Sequence, residues 1–548
     1  MDSFIIATLA LCSLMAPAYG DKGSSKARSC SDFRQFYGTK PFSTDDVPQS
    51  EISGEHLRIC SQGYTCCTSI IEDNLATLSV KEVEGILRES RRSLLTSLNG
   101  QQKAFDGFVR ELLNRSISNL KDTFTSTWGS LYSENSQVFS DLYKDLMGYY
   151  GGNSANLEEV LSDFWTKLLE RIFYQTNKQS SIGEDYLECV SKQMETLRPF
   201  GDAPHKMAVQ VTRTFVAARS FIQGLSSSVN VVRIVGQVKL NQVCAKAIMK
   251  MTYCARCETM SSAMPCSNYC INVMKGCLAN QADLNTEWTH LGDTMVEVAE
   301  HRLNDMDSVI LSLPNHIAEA MFTMMENIGT INSKLFQACG NLRGGEVSST
   351  GDGEIMKRGS MTVEDRLGDT SNRMEKLISD VATRLRGMRS YWVSLPNLLC
   401  SDRVAIGAGA EDMCWNGGSR ARYLPEAIGD GLANQINNPE VELDITKPDK
   451  TIRQQIMQLK IRTHNLRNAL IGRDTDFQDT NDDVSGSGSG TCTDETCLPG
   501  PRLAAPSTDR PIQYVNPPES KKNKSSAQQA LPSNTIYLLS VLLLLLRR

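Results

Sequence analysis

Residues 157–173 read LEEVLSDFWTKLLERIF, with apolar Leu157, Leu161, Phe164, Leu168 and Ile172 recurring every three or four positions between charges. That is the spacing of one face of an α-helix, since 3.6 residues make a turn. The same period runs through VKEVEGILRESRRSLLTSL (80–98), where Val80, Val83, Leu87, Leu94 and Leu98 share a face. It returns in TEWTHLGDTMVEVAEHRL (286–303) and RMEKLISDVATRLRGMRSYWVSL (373–395). Strand-like alternation is scarce, and strands do not alternate with helices. The expected fold is therefore all-α, built of long helices.

The chain has 548 residues and a formal net charge of −6, with 57 Lys and Arg against 63 Asp and Glu. A mildly acidic chain without a basic stripe argues against nucleic acid as a partner, because phosphate binding needs clustered cations. The nearest approach is the short patch Lys521, Lys522 and Lys524 in a polar tail.

Both ends read as processing signals. An apolar run from Phe4 to Met15 precedes the small-x-small sequence Ala18-Tyr19-Gly20, which marks residues 1–20 as a secretory signal peptide cleaved after Gly20. At the other end, Ile536 to Leu546 is apolar but only about half of the roughly 20 residues needed to span a bilayer. Upstream lie a polar spacer, QQALPSNT, and the small triplet Ser525-Ser526-Ala527. Small residues, spacer and short apolar tail form the layout of a glycosylphosphatidylinositol (GPI) signal. Ser525 or Ser526 is the expected attachment residue, and 526–548 the segment removed. The mature protein is then expected at the cell surface, held to the outer leaflet by lipid, with shedding to the extracellular space as a second fate.

There are 17 cysteines, and loss of Cys12 with the signal leaves an even number. In an oxidising compartment an even set reads as disulfides. Cys244, Cys254, Cys257, Cys266, Cys270 and Cys277 crowd together, and Cys254-x-x-Cys257 has the spacing of a zinc site. Secreted thiols oxidise, so disulfides are the expected outcome and no metal or other cofactor is expected. Fourteen cysteines before the tail allow on the order of a hundred thousand connectivities, so spacing alone assigns none.

The polar segment 344–362 reads as a surface loop. Its Lys357-Arg358 lacks a further basic residue at position 355, which is Ile355, so processing there is not expected. From about residue 473 to 525, Gly, Ser, Pro, Asp and Lys replace the helical pattern, which reads as a disordered stalk. Within it stands DTNDDVSGSGSGTCTDETC (479–497), with Ser485-Gly486, Ser487-Gly488 and Ser489-Gly490 in register after a run of acids. By composition this is a flexible linker.

No catalytic apparatus is visible. The six histidines (His56, His205, His290, His301, His316, His464) lie singly, without a zinc-hydrolase helix. Neither a Gly-x-Ser-x-Gly elbow nor a phosphate-cradling Gly-x-x-x-x-Gly-Lys loop occurs. GAGAED and GDGLAN lack the third glycine of a dinucleotide fingerprint. Asn114-Arg115-Ser116 is an N-glycosylation sequon lying off the apolar stripe of Val109, Leu113, Ile117 and Leu120, which leaves Asn114 facing water. A second sequon, Asn523-Lys524-Ser525, overlaps the anchor site.

The combination resembles the glypicans, a family of cell-surface heparan sulfate proteoglycans. The carrier is Cys254-x-x-Cys257 … Pro265-Cys266-x-x-Tyr269-Cys270-x-x-Val273-x-x-Gly276-Cys277. Two residues after Cys257, where a glycine is expected, stands Thr259, a departure expected to touch a local turn and little else. ISGEHLRICSQGYTCCTS, RTFVAARSFIQGL, GCLANQADL, GDGLANQINNPEVELDITKPD and IRQQIMQLK look like the family's first subtype in particular. The resemblance runs from about Cys30 to Gly490.

It implies an elongated all-helical core over 21–472, cross-linked by seven disulfides. Carried over cysteine by cysteine, the pairs are Cys30–Cys66, Cys60–Cys254, Cys67–Cys257, Cys189–Cys339, Cys244–Cys277, Cys266–Cys414 and Cys270–Cys400. Cys492 and Cys497 fall outside that set and are expected to form a small local bridge. The resemblance also implies that Ser485, Ser487 and Ser489 carry heparan sulfate, the adjacent Asp474, Asp476, Asp479, Asp482 and Asp483 suiting a basic acceptor groove on the transferase. The implied partners are heparin-binding growth factors and morphogens, of the FGF and Wnt kinds, together with their signalling receptors. Dense sulfate would capture basic ligands in a salt-sensitive way, and several chains would add avidity. A 53-residue stalk reaches roughly 170 Å extended and about 40 Å as a coil, which keeps the sugars near the membrane. A co-receptor or reservoir is the expected role. The alternative is a lipid-anchored protein whose helical core binds ligand directly, with the Ser-Gly run only a linker.

Overall fold

Helices make nearly all the regular structure of the computed structural model, which describes residues 28–178, 182–260, 263–341, 364–401, 404–406 and 413–474. In chain order they are α1 (Ser31–Gly38), α2 (Ser69–Trp128), α3 (Ser130–Tyr150), α4 (Leu157–Thr176), α5 (Glu184–Lys192), α6 (Met194–Leu197), α7 (Ala203–Val235), α8 (Gln242–Thr252) and α9 (Cys254–Cys257). They continue as α10 (Ser267–Cys277), α11 (Ala279–Ala282), α12 (Asn285–Arg302), α13 (Met306–Glu326), α14 (Ile328–Cys339), α15 (Glu364–Gly387), α16 (Tyr391–Leu399) and α17 (Lys450–Leu470). Two-residue strands β1 (Ile52–Ser53) and β2 (Tyr64–Thr65) pair antiparallel. The signal at 1–20, the 344–362 segment, Ser485, Ser487, Ser489, Cys492, Cys497, the Asn523 sequon and the anchor residues Ser525 and Ser526 lie outside the described residues.

Local chemistry explains where the helices start and stop. The Thr68 hydroxyl accepts from the Ile71 N–H at the start of α2, and Asn156, Asn241 and Asp449 cap α4, α8 and α17 in the same way. With no proline between Ser69 and Trp128, α2 runs for 60 residues, about 90 Å at 1.5 Å per residue. It ends at Gly129, whose φ of +48° suits a residue without a Cβ.

Leu157, Leu161, Phe164, Leu168 and Ile172 are all buried on α4, as their spacing predicts. On α2 the pattern is looser: Val83, Leu94 and Leu98 are buried, whereas Val80 and Leu87 are only half-buried. The centre of the helical array is α7, which packs against α2, α12, α13 and α17. Gly224 permits this closeness, because a Cβ there would meet the Met295 Sδ of α12 at 3.2 Å and the Leu466 Cδ1 of α17 at 3.4 Å.

Seven disulfides join Cys30–Cys66, Cys60–Cys254, Cys67–Cys257, Cys189–Cys339, Cys244–Cys277, Cys266–Cys414 and Cys270–Cys400. These are the pairs that the resemblance implies. Each thiol of Cys254-x-x-Cys257 is consumed by a bridge, which leaves no thiolate for zinc. Two bridges tie the amino-terminal segment to α9, two tie Cys400 and Cys414 to α10 and the residue before it, one joins α8 to α10, one closes within the amino-terminal segment, and the seventh joins α5 to α14.

Thr259 departs from the expectation stated for it. Its φ is +60°, the left-handed region that favours glycine, which is why a glycine is expected at this position. Thr259 does more than complete a turn, because its hydroxyl donates to Glu51 Oε1 at 3.0 Å and ties the post-α9 turn to the amino-terminal segment.

Candidate functional site

The residues with the strongest chemical prediction, Ser485, Ser487 and Ser489, follow the described part of the chain. What the structure shows is the platform from which that segment departs.

The platform starts on α10. Asn272, fully buried, donates through Nδ2 to the Glu426 carbonyl at 2.9 Å and to Tyr423 OH at 3.2 Å. Its Oδ1 accepts from the Ile428 N–H at 2.9 Å, and its carbonyl accepts from Asn438 Nδ2 at 3.0 Å. Asn272 thus holds the 423–438 segment at four points, three through its amide and one through its carbonyl, and two of them satisfy backbone groups at Glu426 and Ile428. Lys275 adds a bond to the Ile428 carbonyl at 2.6 Å and an ion pair with Asp430 at 3.1 Å. Gly276 has no room for a side chain, since a Cβ would stand 2.7 Å from Asn438 Nδ2 and Val441 Cβ. Burial pushes the Glu440 carboxyl above its usual range, although Tyr423 OH donates to it at 2.9 Å.

The strap delivers the chain to Asp449, whose N–H donates to Asn280 Oδ1 at 2.9 Å and whose carboxylate caps α17. Helix α17 packs on α7 and α12 through Ile452, Leu459, Thr463, Leu466 and Ala469. It closes at Gly472, with φ +77°, where the Gly472 and Arg473 N–H groups donate back to the Ala469 and Asn468 carbonyls at 3.0 Å each. This is the left-handed glycine cap that stops a helix. Asp474, the last described residue, accepts from Tyr149 OH at 2.5 Å, and the Arg219 guanidinium lies 4.7 Å from the Tyr149 ring centre. The described chain therefore ends on a residue tied to α3.

Asn114 is exposed on α2, while its sequon partner Ser116 is fully buried. The Ser116 hydroxyl donates to the Ile310 carbonyl and meets Tyr143 OH, both at 2.6 Å. Burial also pushes the Tyr143 phenol above its usual range.

A cavity of about 340 Å³ opens between α2, α7 and α16. Its apolar wall includes Leu87, Val232, Val235, Leu240 and Leu395, while Arg88 and Lys239 contribute charge. That volume falls within the roughly 300–1,000 Å³ usual for small-molecule sites. The periodicity that put Leu87 on a core face gave no sign of the cavity it lines, because the opposite wall comes from residues more than 140 positions away. Among the described residues, no cluster of three or more His, Cys, Asp or Glu side chains could hold a metal ion. None of the described helices is long and apolar enough to cross a membrane.

The family model described as Glypican matches residues 10–547. Glypican-1 of Gallus gallus is 49% identical over 536 residues, covering 97% of this chain and 96% of the relative. The crystal structure of C-terminally truncated glypican-1 superposes with a TM-score of 0.74 at 50% identity, over 82% of this chain and all of that one. The structure of Dally-like protein in complex with O-palmitoleoyl serine gives a TM-score of 0.63 at 30% identity, over the same shares.

Proposed function

The chain belongs to the glypican family of heparan sulfate proteoglycans, and from that premise we propose that it acts as a lipid-anchored co-receptor or reservoir. Heparan sulfate on Ser485, Ser487 and Ser489 captures heparin-binding growth factors and morphogens and presents them to signalling receptors. The observation that carries the reading is the register of three Ser-Gly pairs immediately after Asp479, Asp482 and Asp483, in a chain matched along its length to this family. Attachment needs an extended acceptor, and alternation with glycine removes side-chain obstruction beside each serine. The anchor at Ser525 or Ser526 is supported by the small triplet, the spacer and an apolar tail too short to span a bilayer.

A second reading, ligand binding by the helical core itself, is favoured by the cavity beside α16 and by the likeness to a protein solved with O-palmitoleoyl serine. One experiment separates the two. Heparinase digestion of the cell-surface protein is expected to remove a high-mass smear on a gel and most growth-factor binding. Unchanged migration and binding would overturn the glycan reading. Binding that survives digestion and is displaced by O-palmitoleoyl serine would support the core reading.

We also propose that Asn114 carries an N-glycan. Asn114→Gln is expected to lower the mass by one glycan with no loss of stability, because the side chain is exposed. Ser116→Ala should lower the mass equally and cost about 1–2 kcal/mol, because the Ile310 carbonyl loses a buried donor. An unchanged mass in either variant would contradict the glycan, and equal melting temperatures would contradict the buried role of Ser116.

A further inference from the structure

The last helix carries a basic stripe that the chain's overall acidic balance concealed from the sequence reading. Residues 450–473 contain six Lys and Arg and not one Asp or Glu, in a chain whose acids outnumber its bases. On α17 the buried positions fall on one side, and Lys450, Arg453, Lys460, His464 and Arg467 are all exposed. At 100° per residue, these five fall within an arc of about 100° and run for about 25 Å along the helix.

Several cations elsewhere on the surface are matched by acids, among them Arg373 with Glu111, Arg386 with Glu300 and Arg110 with Asp106. Among the described residues, no carboxylate is within ion-pair distance of Lys450, Arg453 or Arg467, and Lys460 reaches only Glu287, at 3.8 Å. A charge run on a helix is ordinarily a solvated face laced with salt bridges. A row of like charges without that lacing instead suits a linear polyanion.

We propose that this stripe on α17 is a docking surface for the sulfated glycan carried by the same chain, an inference that rests on the proteoglycan reading above. Two features favour that occupant. The charges are complementary, and the glycan begins close by. Helix α17 ends at Leu470, Asp474 is held by Tyr149 OH, and Ser485 follows eleven residues later, at most about 40 Å of chain. The first sugars can therefore lie back along the stripe. Bound in this way, the glycan root is held against the core, and a basic ligand must compete with Arg453, Lys460 and Arg467 for the sulfates nearest the protein.

The test uses the full processed chain with Ser485→Ala, Ser487→Ala and Ser489→Ala, so that no resident glycan competes, and a fluorescent heparin octasaccharide as probe. Replacing Lys450, Arg453, Lys460 and Arg467 by Gln should weaken probe binding about ten-fold at moderate salt, four exposed charges each contributing modestly. Helical circular dichroism should be unchanged. A control with Arg92, Arg110, Lys178 and Lys192 replaced by Gln makes the same change in net charge and should bind within about two-fold of the parent.

On the chain with its serines intact, probe binding should be at least ten-fold weaker and should be restored by heparinase. Equal losses in the control set would overturn the proposal as a net-charge effect. So would full probe binding to the glycan-bearing chain, or stripe-dependent binding to phosphatidylserine vesicles in preference to the octasaccharide. A chain with intact serines and no heparinase-sensitive mass would instead overturn the proteoglycan reading, and the octasaccharide arm would then report on the stripe alone.

Discussion

Replacing Cys60, Cys67, Cys254 and Cys257 together by serine is expected to cost at least about 5 kcal/mol and to abolish most secretion of the protein. All four cysteines are buried, and their two parallel bridges join residues 194 and 190 positions apart in sequence. In the chain-entropy account, a bridge stabilises by restricting the unfolded chain, and a loop of that size gives about 5 kcal/mol. Folded domains are stable by only about 5–15 kcal/mol, so this is a large fraction of the whole. The loss is also local. Cys60 and Cys67 lie on the segment that covers the start of α2, and without both bridges that segment loses its covalent ties to α9. The matched comparison is Cys244 with Cys277, only 33 residues apart, where the same account gives about 4 kcal/mol. Urea denaturation and secreted yield should rank the variant lacking both parallel bridges below the 244/277 variant. The reverse order would mean that local strain relief, and not loop size, governs these bridges.

Glu72→Ala is the second large expected effect, about 3–5 kcal/mol. Glu72 is fully buried near the start of α2. Its Oε1 accepts from the Ile59 and Cys60 N–H groups and its Oε2 from the Arg58 N–H, each at 2.9 Å. Charge-assisted bonds of this kind are stronger than neutral ones. A carboxylate also suits the positive end of a helix. Alanine would leave three backbone donors facing a space with no acceptor, at about 1–3 kcal/mol for each buried group left unpaired. Glu72→Gln should cost less, about 1–3 kcal/mol, because its carbonyl oxygen still serves Ile59 and Cys60 while its amide opposes the Arg58 N–H. Thermal melts give the ranking, and hydrogen exchange over residues 58–60 should accelerate in the alanine variant. Protection unchanged at those amides would show that the disulfides alone hold the segment.

These two sites also mark the limit of what could be read from the chain. Helical period and capping are local, so the buried face of α4 and the caps Thr68, Asn156, Asn241 and Asp449 follow from residues a few positions apart. Glu72 did not stand out, because on an amphipathic helix a carboxylate ordinarily faces water. Its reason for burial lies twelve to fourteen residues upstream, in an irregular segment whose path no periodicity reveals. Asn272 is similar, since its partners lie about 150 residues further on, and so is the tie between Tyr149 and Asp474. Thr259 shows a subtler limit: its side chain was legible as a departure from the family pattern, but its hydrogen bond to Glu51 depends on how two distant turns meet. The Ser-Gly register is the opposite case, a function written in local sequence that needs no tertiary partner to be recognised.

The central claim is that Ser485, Ser487 and Ser489 carry heparan sulfate, and it is tested most directly by the mass of the secreted chain with all three replaced by alanine. The expected result is a single sharp band that heparinase leaves unchanged, where the parent chain gives a broad heparinase-sensitive smear. A smear that persists in the triple variant, still sensitive to heparinase, would place attachment at other residues and contradict the account.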